Sequence, residues 1–122
     1  MKSKWKDKGL KKIYFALFNS TRGFIWLIKN EDSFKQEFII SLFLSLLIFF
    51  LNISVLEKII LITSLVFVLI IEILNTSIEV VIDRISLERH SLSGLAKDLG
   101  SLAVLFSLFI TIAIWVAILW VK

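Results

Sequence analysis

Three long apolar runs restrict this chain to a helical membrane protein. They cover residues 38–56, 59–82 and 99–121, and each has about the 20 residues with which a helix crosses a hydrocarbon layer. A spanning segment must satisfy its own backbone hydrogen bonds, because that layer holds no water. The composition agrees, since 58% hydrophobic residues and a mean hydropathy of +0.93 exceed what a soluble domain of 122 residues can bury. We therefore predict an all-α integral membrane protein with three transmembrane helices, in a single domain over residues 1–122.

The segment before the first span has the pattern of an amphipathic surface helix. Its apolar residues recur at helical spacing between Leu10 and Ile28, and basic residues such as Lys11 and Arg22 lie off that stripe. A helix of this kind lies among the headgroups and is attracted to anionic membrane lipid. We predict such a surface helix over residues 1–29.

The basic residues indicate how the chain is oriented. Nine of the fourteen Lys and Arg precede Phe38, three lie in the 83–98 connection, and the other connection holds only Lys58. Basic segments stay on the cytoplasmic side, so we expect the N-terminus and a loop over 83–98 to be cytoplasmic. The basic start has no apolar run directly behind it, which argues against a cleaved secretory signal. We expect the mature protein to be the whole chain.

A polar stripe interrupts the second apolar run. Glu72, Asn75, Glu79 and Asp83 are three, four and four residues apart, so on a helix they share one face over about 16 Å. Carboxylates at bilayer depth cost several kcal/mol unless they are paired, hydrated or metal-bound. The stripe must therefore face protein or water, and a three-helix chain encloses it most easily by packing against copies of itself. Two readings stay open, because the stripe is either catalytic or a set of interhelical hydrogen bonds.

The catalytic reading points to phosphoryl transfer. A desolvated carboxylate such as Glu72 is a suitable general base for a hydroxyl that arrives through the bilayer. Carboxylates nearer water, Glu79 with Glu31, have the oxygen ligands that Mg²⁺ prefers, and Lys97 can balance polyphosphate charge. Metal, base and cation together are the parts of a phosphoryl-transfer site. The sequence has no glycine-rich Walker loop, so a nucleotide must be held in another way.

Three motifs resemble those of the prokaryotic diacylglycerol kinase family, whose members are small trimeric membrane kinases. They are N-E-D-S-F-K-Q-E (30–37), E-I-L-N-T-S-I-E-V-V-I-D-R-I (72–85) and H-S-L-S-G-L-A-K-D-L-G-S-L-A-V (90–104). The resemblance implies a homotrimer in the cell inner membrane that transfers the γ-phosphoryl group of ATP to diacylglycerol at the cytoplasmic face. It also implies Mg²⁺ as cofactor and phosphatidic acid as product, in phospholipid recycling, with no nucleic-acid partner.

The resemblance also implies roles for individual residues. Glu72 matches the catalytic base, Asn75 the asparagine beside it, and Glu31 and Glu79 the metal ligands. The nucleotide-contacting positions are matched by Glu88, His90, Lys97 and Asp98. The positions that line the lipid site are matched by Phe34, Lys35, Gln36, Glu37 and Ser101.

Several of these positions have competing interpretations. Lys12 stands where the family has an arginine near ATP, so the cation is kept but the bidentate guanidinium is lost. Asn19 stands where the family has an aromatic residue near the nucleotide, so the face of an aromatic ring is lost. His90, as a single histidine without nearby partners, is by default a solvated surface residue. Asp83 either ends the second helix beside Arg84 or lies on the nucleotide side.

Two other functions remain as alternatives. An undecaprenol kinase belongs to the same superfamily, but its relatives tend to carry histidine at the position of Glu37, so the pair Gln36 and Glu37 favours diacylglycerol. A small proton-coupled transporter would explain Glu72 as a proton relay, but it leaves the motif-dense 83–98 segment unexplained. Lipid-dependent ATP hydrolysis distinguishes these functions, because a transporter of this kind should show none.

Overall fold

Four helices make up the part of the chain that the computed structural model describes, residues 9–121. They are α1 (Leu10–Asn30), α2 (Asp32–Phe49), α3 (Val55–Ile85) and α4 (Ser91–Trp120). No strand occurs within this range, so the all-α prediction is confirmed. Residues 1–8, where the predicted surface helix was expected to start, lie outside the described range. The fold divides after Glu37 into two compact units.

The first unit contains α1 and the first turns of α2, separated by the single non-helical residue Glu31. The Glu31 backbone is extended, with φ −118° and ψ 96°, and its N–H donates to the carbonyl of Leu27 at 2.9 Å. The Asn30 side-chain amide likewise donates to the last turn of α1, at the carbonyl of Trp26. Asp32 lies in the first turn of α2, where the exposed N–H groups favour a negative charge. The chain therefore breaks sharply and places the Glu31 carboxylate between two helix ends.

In the second unit, α2 ends earlier than the predicted span over 38–56. Residues 50–54 form a turn, and Ser54 begins α3 with a capping box, in which its hydroxyl accepts from the N–H of Glu57 and the Glu57 carboxylate accepts from the N–H of Ser54. This motif satisfies two helix-end donors at once. The carbonyl at the end of α2, that of Phe49, accepts from Lys58 Nζ at 2.9 Å. The sequence S-V-L-E carries this capping signal, and the turn expected between the first two spans is present, although the first span was extended to Leu56.

Helices α3 and α4 pack against each other over a small polar network. The Thr111 hydroxyl donates to the carbonyls of Ser64 (3.1 Å) and Ser107 (2.9 Å), and the Trp115 ring N–H donates to the Ser64 hydroxyl at 2.9 Å. Hydrogen bonds of this kind join transmembrane helices where apolar contacts alone give little preference for one register. Beside the network, the core holds Ile48, Leu61 and Leu65. The network and this core fix how α4 lies along α3.

Most apolar side chains of the long helices are exposed in the single chain, whereas a soluble protein buries the apolar side chains of its core helices. In α3 and α4, only 17% and 6% of the most apolar stretch is buried. These two helices, of 31 and 30 residues, are long and apolar enough to cross a membrane. In α2, with 18 residues, Asp32, Lys35 and Glu37 are part of the helix, and it is not among the described helices that meet this criterion. The described residues therefore contain two candidate membrane spans, and the third expected span stays a prediction.

The helices also extend into the segment expected to be a cytoplasmic loop. The spans were predicted over 59–82 and 99–121, but α3 continues to Ile85 and α4 begins at Ser91, so only residues 86–90 are non-helical. This corrects the expectation of a loop over 83–98. Charged residues favoured a loop in the sequence, but a helix tolerates them where it leaves the apolar layer. Most of the chemically interesting positions in this segment consequently lie on helices.

Candidate active site

The polar stripe predicted for the second span is present on α3. Glu72, Asn75 and Glu79 are each half-buried, and Asp83 is exposed near the end of the helix. Their spacing places them on one face of an uninterrupted helix, as expected. The stripe therefore leads from the apolar middle of α3 toward its polar end.

An ion pair joins the polar ends of α3 and α4. Lys97 Nζ lies 3.2 Å from Asp83 Oδ1, and the two side chains are 45% and 51% exposed. Of the two interpretations of Asp83, helix termination is wrong, because α3 continues past it and ends on Ser86, whose N–H donates to the carbonyl of Ile82. An ion pair this exposed contributes little stability, about 0–1 kcal/mol. Its Lys97 ammonium is free to exchange partners with an arriving anion.

A depression of about 450 Å³ lies beside this ion pair, between the end of α3 and the start of α4. Its lining includes charged groups of both signs, namely Asp83, Glu88, Arg89, His90 and Lys97. The first turns of α4 also line it, and the free N–H groups of a helix N-terminus attract anions. The depression can therefore accept a phosphorylated ligand. Sequence reasoning used Arg89 only to orient the chain and missed its place in this lining.

His90 lines this depression and also caps the helix that follows it. It is the N-cap of α4, and its Nδ1 accepts from the N–H of Leu92 at 3.1 Å. In the neutral ring, Nε2 then carries the proton and can donate to a ligand. Glu88 is held nearby, because its N–H donates to the Ser86 hydroxyl at 3.0 Å. Of the positions expected to contact nucleotide, Glu88, His90 and Lys97 line one depression with Asp83, whereas Asp98 is exposed and is not among its lining residues.

The expected metal ligands are carboxylates at two different places in the chain. Glu79 is half-buried on α3 in the second unit, and Glu31 is half-buried between α1 and α2 in the first. Within residues 9–121, no group of three or more His, Cys, Asp or Glu side chains is arranged to hold a metal ion. Mg²⁺ usually takes only one or two carboxylates and completes its shell with water and substrate phosphates. The chemistry of these two donors is therefore compatible with Mg²⁺.

The residues expected to line the lipid site differ in exposure. Lys35, Gln36 and Ser101 are exposed, and Glu37 is half-buried. Phe34 is only 3% exposed, and its ring meets the edge of Phe24 at a centroid distance of 6.3 Å. This burial favours a packing role for Phe34 within the first unit.

The two departures on α1 are both on the surface of the first unit. Lys12 is exposed, and Asn19 is half-buried about one helical turn before Gly23. Neither position has an aromatic ring or a guanidinium. A nucleotide contact by Lys12 or Asn19 stays a prediction.

The chain is similar to proteins of one family over most of its length. The sequence profile of the prokaryotic diacylglycerol kinase family matches residues 18–119. A diacylglycerol kinase of Escherichia coli strain K12 is 38% identical, with 84% of this chain and 95% of that protein covered. A diacylglycerol kinase of Haemophilus influenzae is 39% identical, with 94% and 98% covered, and one of Pseudomonas aeruginosa is 39% identical, with 91% and 90% covered.

These matches include both the polar stripe of α3 and the depression at the start of α4. They favour a kinase over a proton-coupled transporter as the explanation of Glu72. The chain belongs to the prokaryotic diacylglycerol kinase family.

Proposed function

We propose that this protein is an ATP-dependent lipid kinase that phosphorylates diacylglycerol. Its relatives in three organisms are named diacylglycerol kinases and are aligned over nearly their whole length. The observation that carries the proposal is the carboxylate stripe of an apolar helix, which leads to a depression lined by charged groups of both signs. A lipid substrate and a phosphorylated co-substrate approach such a site from the two sides.

The reaction needs one proton acceptor at the lipid hydroxyl. Glu72 takes that proton while the hydroxyl oxygen attacks the γ-phosphorus of ATP and the bond from the γ-phosphorus to the bridging oxygen of the β-phosphate breaks. ADP leaves, and phosphatidic acid is formed. Glu72 lies 13 residues before the end of α3, or about 20 Å along the helix, so it reaches a hydroxyl that stays in the bilayer.

The groups nearer to water neutralise the negative charge of the polyphosphate. Lys97, His90 and the first N–H groups of α4 bind the polyphosphate in the depression. Glu31 and Glu79 would hold Mg²⁺, whose charge would offset the negative charge that develops on the phosphate. Asn75 orients the lipid hydroxyl beside Glu72, and Gln36 with Glu37 contacts the glycerol end of the lipid.

The exposed apolar faces support a homotrimer in the inner membrane. A single chain leaves most apolar side chains of α3 and α4 uncovered and cannot enclose the polar stripe with ease. In the proposed arrangement, α2 is the third span, α1 lies on the membrane surface, and residues 86–90 face the cytoplasm with the N-terminus. Copies of the chain then cover the half-buried carboxylates.

The assay that tests the function compares two lipids side by side in mixed micelles. With radiolabelled ATP, the purified protein should label diacylglycerol to phosphatidic acid at a far higher kcat/KM than it labels undecaprenol. Preferred labelling of undecaprenol would assign the protein to polyprenol phosphorylation instead. ATP hydrolysis that does not depend on any lipid, or no hydrolysis at all, would contradict a lipid kinase of either kind.

A further inference from the structure

A glycine of α4 faces the asparagine of the polar stripe. Gly100 is buried, and a Cβ built on it would overlap Asn75 Oδ1 and lie 3.2 Å from Asn75 Cγ. Glycine is a poor helix former, and unlike Gly23 and Gly94, Gly100 has a packing reason for its lack of a side chain. The space that a side chain would fill at this position is occupied by the Asn75 amide.

The Asn75 oxygen lies against Gly100. Oδ1 is buried and has no hydrogen-bond partner within the described part of the chain. A hydrogen of Gly100 stands where a Cβ would be and therefore points at Oδ1, which is the geometry of the weak C–H···O contacts found between closely packed helices. The amide is planar, so an oxygen fixed against α4 also fixes the direction of the Asn75 N–H donors, which point away from it.

The fixed amide lies one turn from the proposed base. Asn75 follows Glu72 by three residues on the same face of α3, and Gly100 directly precedes the exposed Ser101 on α4. We propose that Gly100 is a positioning residue of this site: it leaves room for Asn75 Oδ1 and so directs the Asn75 N–H groups toward the substrate hydroxyl beside Glu72. This inference rests on the proposed lipid-kinase function, and it assigns to Gly100 no contact with the substrate.

Replacing Gly100 with alanine should affect turnover more than nucleotide binding. The added methyl group must displace the Asn75 amide, and a misplacement of about 1 Å near reacting atoms can cost about 100-fold in rate. We expect Gly100→Ala to lower kcat by about that factor, while KM for ATP stays within about twofold, because Lys97 and His90 in the nucleotide depression are unchanged. Gly23→Ala is the matched control, since a Cβ at Gly23 in α1 meets nothing within 4 Å.

A double-mutant cycle separates this positioning role from general packing. Asn75→Ala removes the amide that the methyl group displaces, so adding Gly100→Ala to it should cause no further loss of kcat. The thermal midpoints should follow the same pattern: Gly100→Ala should lower Tm when Asn75 is present and should not lower it in the Asn75→Ala chain. Wild-type kcat in Gly100→Ala, or losses that multiply in the double variant, would overturn the proposal.

Measuring both kcat and Tm allows this inference to fail independently of the proposed function. Absence of phosphatidic acid formation by the wild-type protein would end the proposed function, whereas the Tm cycle would still test the contact between Gly100 and Asn75. If Gly100→Ala does not assemble, Asn75→Ala alone must reproduce the loss of kcat at unchanged KM for ATP. Normal kcat in an assembled Asn75→Ala protein would overturn the positioning role.

Discussion

Glu72 and Glu79 share a face of α3 but lie at different distances from its polar end. They precede the last residue of the helix by 13 and 6 residues, which corresponds to about 20 Å and 9 Å. Both are half-buried in the single chain. The deeper carboxylate is surrounded by apolar residues, which suits a base for a lipid hydroxyl, and the shallower one lies nearer to hydrated ions.

The role of Glu72 can be tested by removing its charge while keeping its shape. Glu72→Gln should lower kcat by about two to four orders of magnitude, because a positioned base contributes about that much, while assembly and ATP affinity persist. Glu57→Gln is the control on the same helix, since glutamine still serves in the capping box at the far end. Steady-state kinetics measure the effect. Near-normal turnover of an assembled Glu72→Gln protein would exclude Glu72 as the base.

Glu31 and Glu79 should behave as one unit if both hold the same Mg²⁺. Either change to glutamine should severely weaken the use of Mg·ATP, and the double variant should lose little more than each single one. The measurement is kcat/KM for ATP across a range of Mg²⁺ concentrations. Multiplicative losses in the double variant would show that the two carboxylates act separately.

At the scale of helices, the ends of α3 and α4 form the rim of the proposed nucleotide site. The Asp83–Lys97 pair crosses this rim, and His90 caps α4 beside it. Farther along, Thr111 and Trp115 donate to Ser64, so the register of the two helices is fixed away from the rim. We therefore expect the ion pair to contribute little to helix packing and to be accessible to a ligand, since both side chains are about half exposed.

Exchanging the two charges separates the structural and the ligand-binding roles of Lys97. The double change Asp83→Lys with Lys97→Asp keeps an exposed pair and should alter unfolding free energy by less than about 1 kcal/mol. It moves the cation away from its position on α4, so KM for ATP should rise about tenfold or more. Arg84→Ala, which removes a neighbouring cation that does not line the depression, should leave KM unchanged. Wild-type KM in the exchanged variant would show that Lys97 does not contact ATP.

At the scale of the whole molecule, a single chain leaves both its apolar helix faces and its proposed catalytic stripe partly uncovered. The apolar side chains of α3 and α4 are mostly exposed, and the carboxylate stripe is only half-covered. In lipid, polar residues face protein or water rather than acyl chains. In the proposed homotrimer, neighbouring copies would cover the stripe, and each copy could contribute residues to the site of its neighbour.

Mixed trimers test whether a site is shared between chains. We expect that Glu31 of one chain and Glu72 of the next serve the same site, so mixing Glu72→Gln chains with Glu31→Gln chains should restore activity. Each mixed trimer can then contain at least one site with both carboxylates. Differently tagged chains and tandem purification isolate the mixed trimers, and the kinase assay measures recovery. Inactive trimers that demonstrably contain both chains would place Glu31 and Glu72 of each site on one chain.

Local pattern was enough to predict the helical class and the stripe itself. Apolar runs of membrane length leave the backbone no alternative to a helix, and the three- and four-residue spacing of Glu72, Asn75 and Glu79 determines that they share a face. The family motifs likewise lie in short stretches of sequence, and the family match confirmed the lipid-kinase interpretation. The boundaries of helices near water were less predictable, because charged residues there are compatible with a helix as well as with a loop.

Contacts between helices were decided only by the tertiary structure. Gly100 meets Asn75 and Lys97 pairs with Asp83 across 25 and 14 positions of sequence, so these contacts depend on helix register and crossing geometry. The burial of Phe34 depends in the same way on the packing around it. The sequence by itself determined which residues can carry charge and chemistry in an apolar helix, because that follows from residue type and spacing. The packing of α4 on α3 decided which residues of the neighbouring helix these side chains contact, because interhelical contacts depend on the fit of whole helix surfaces.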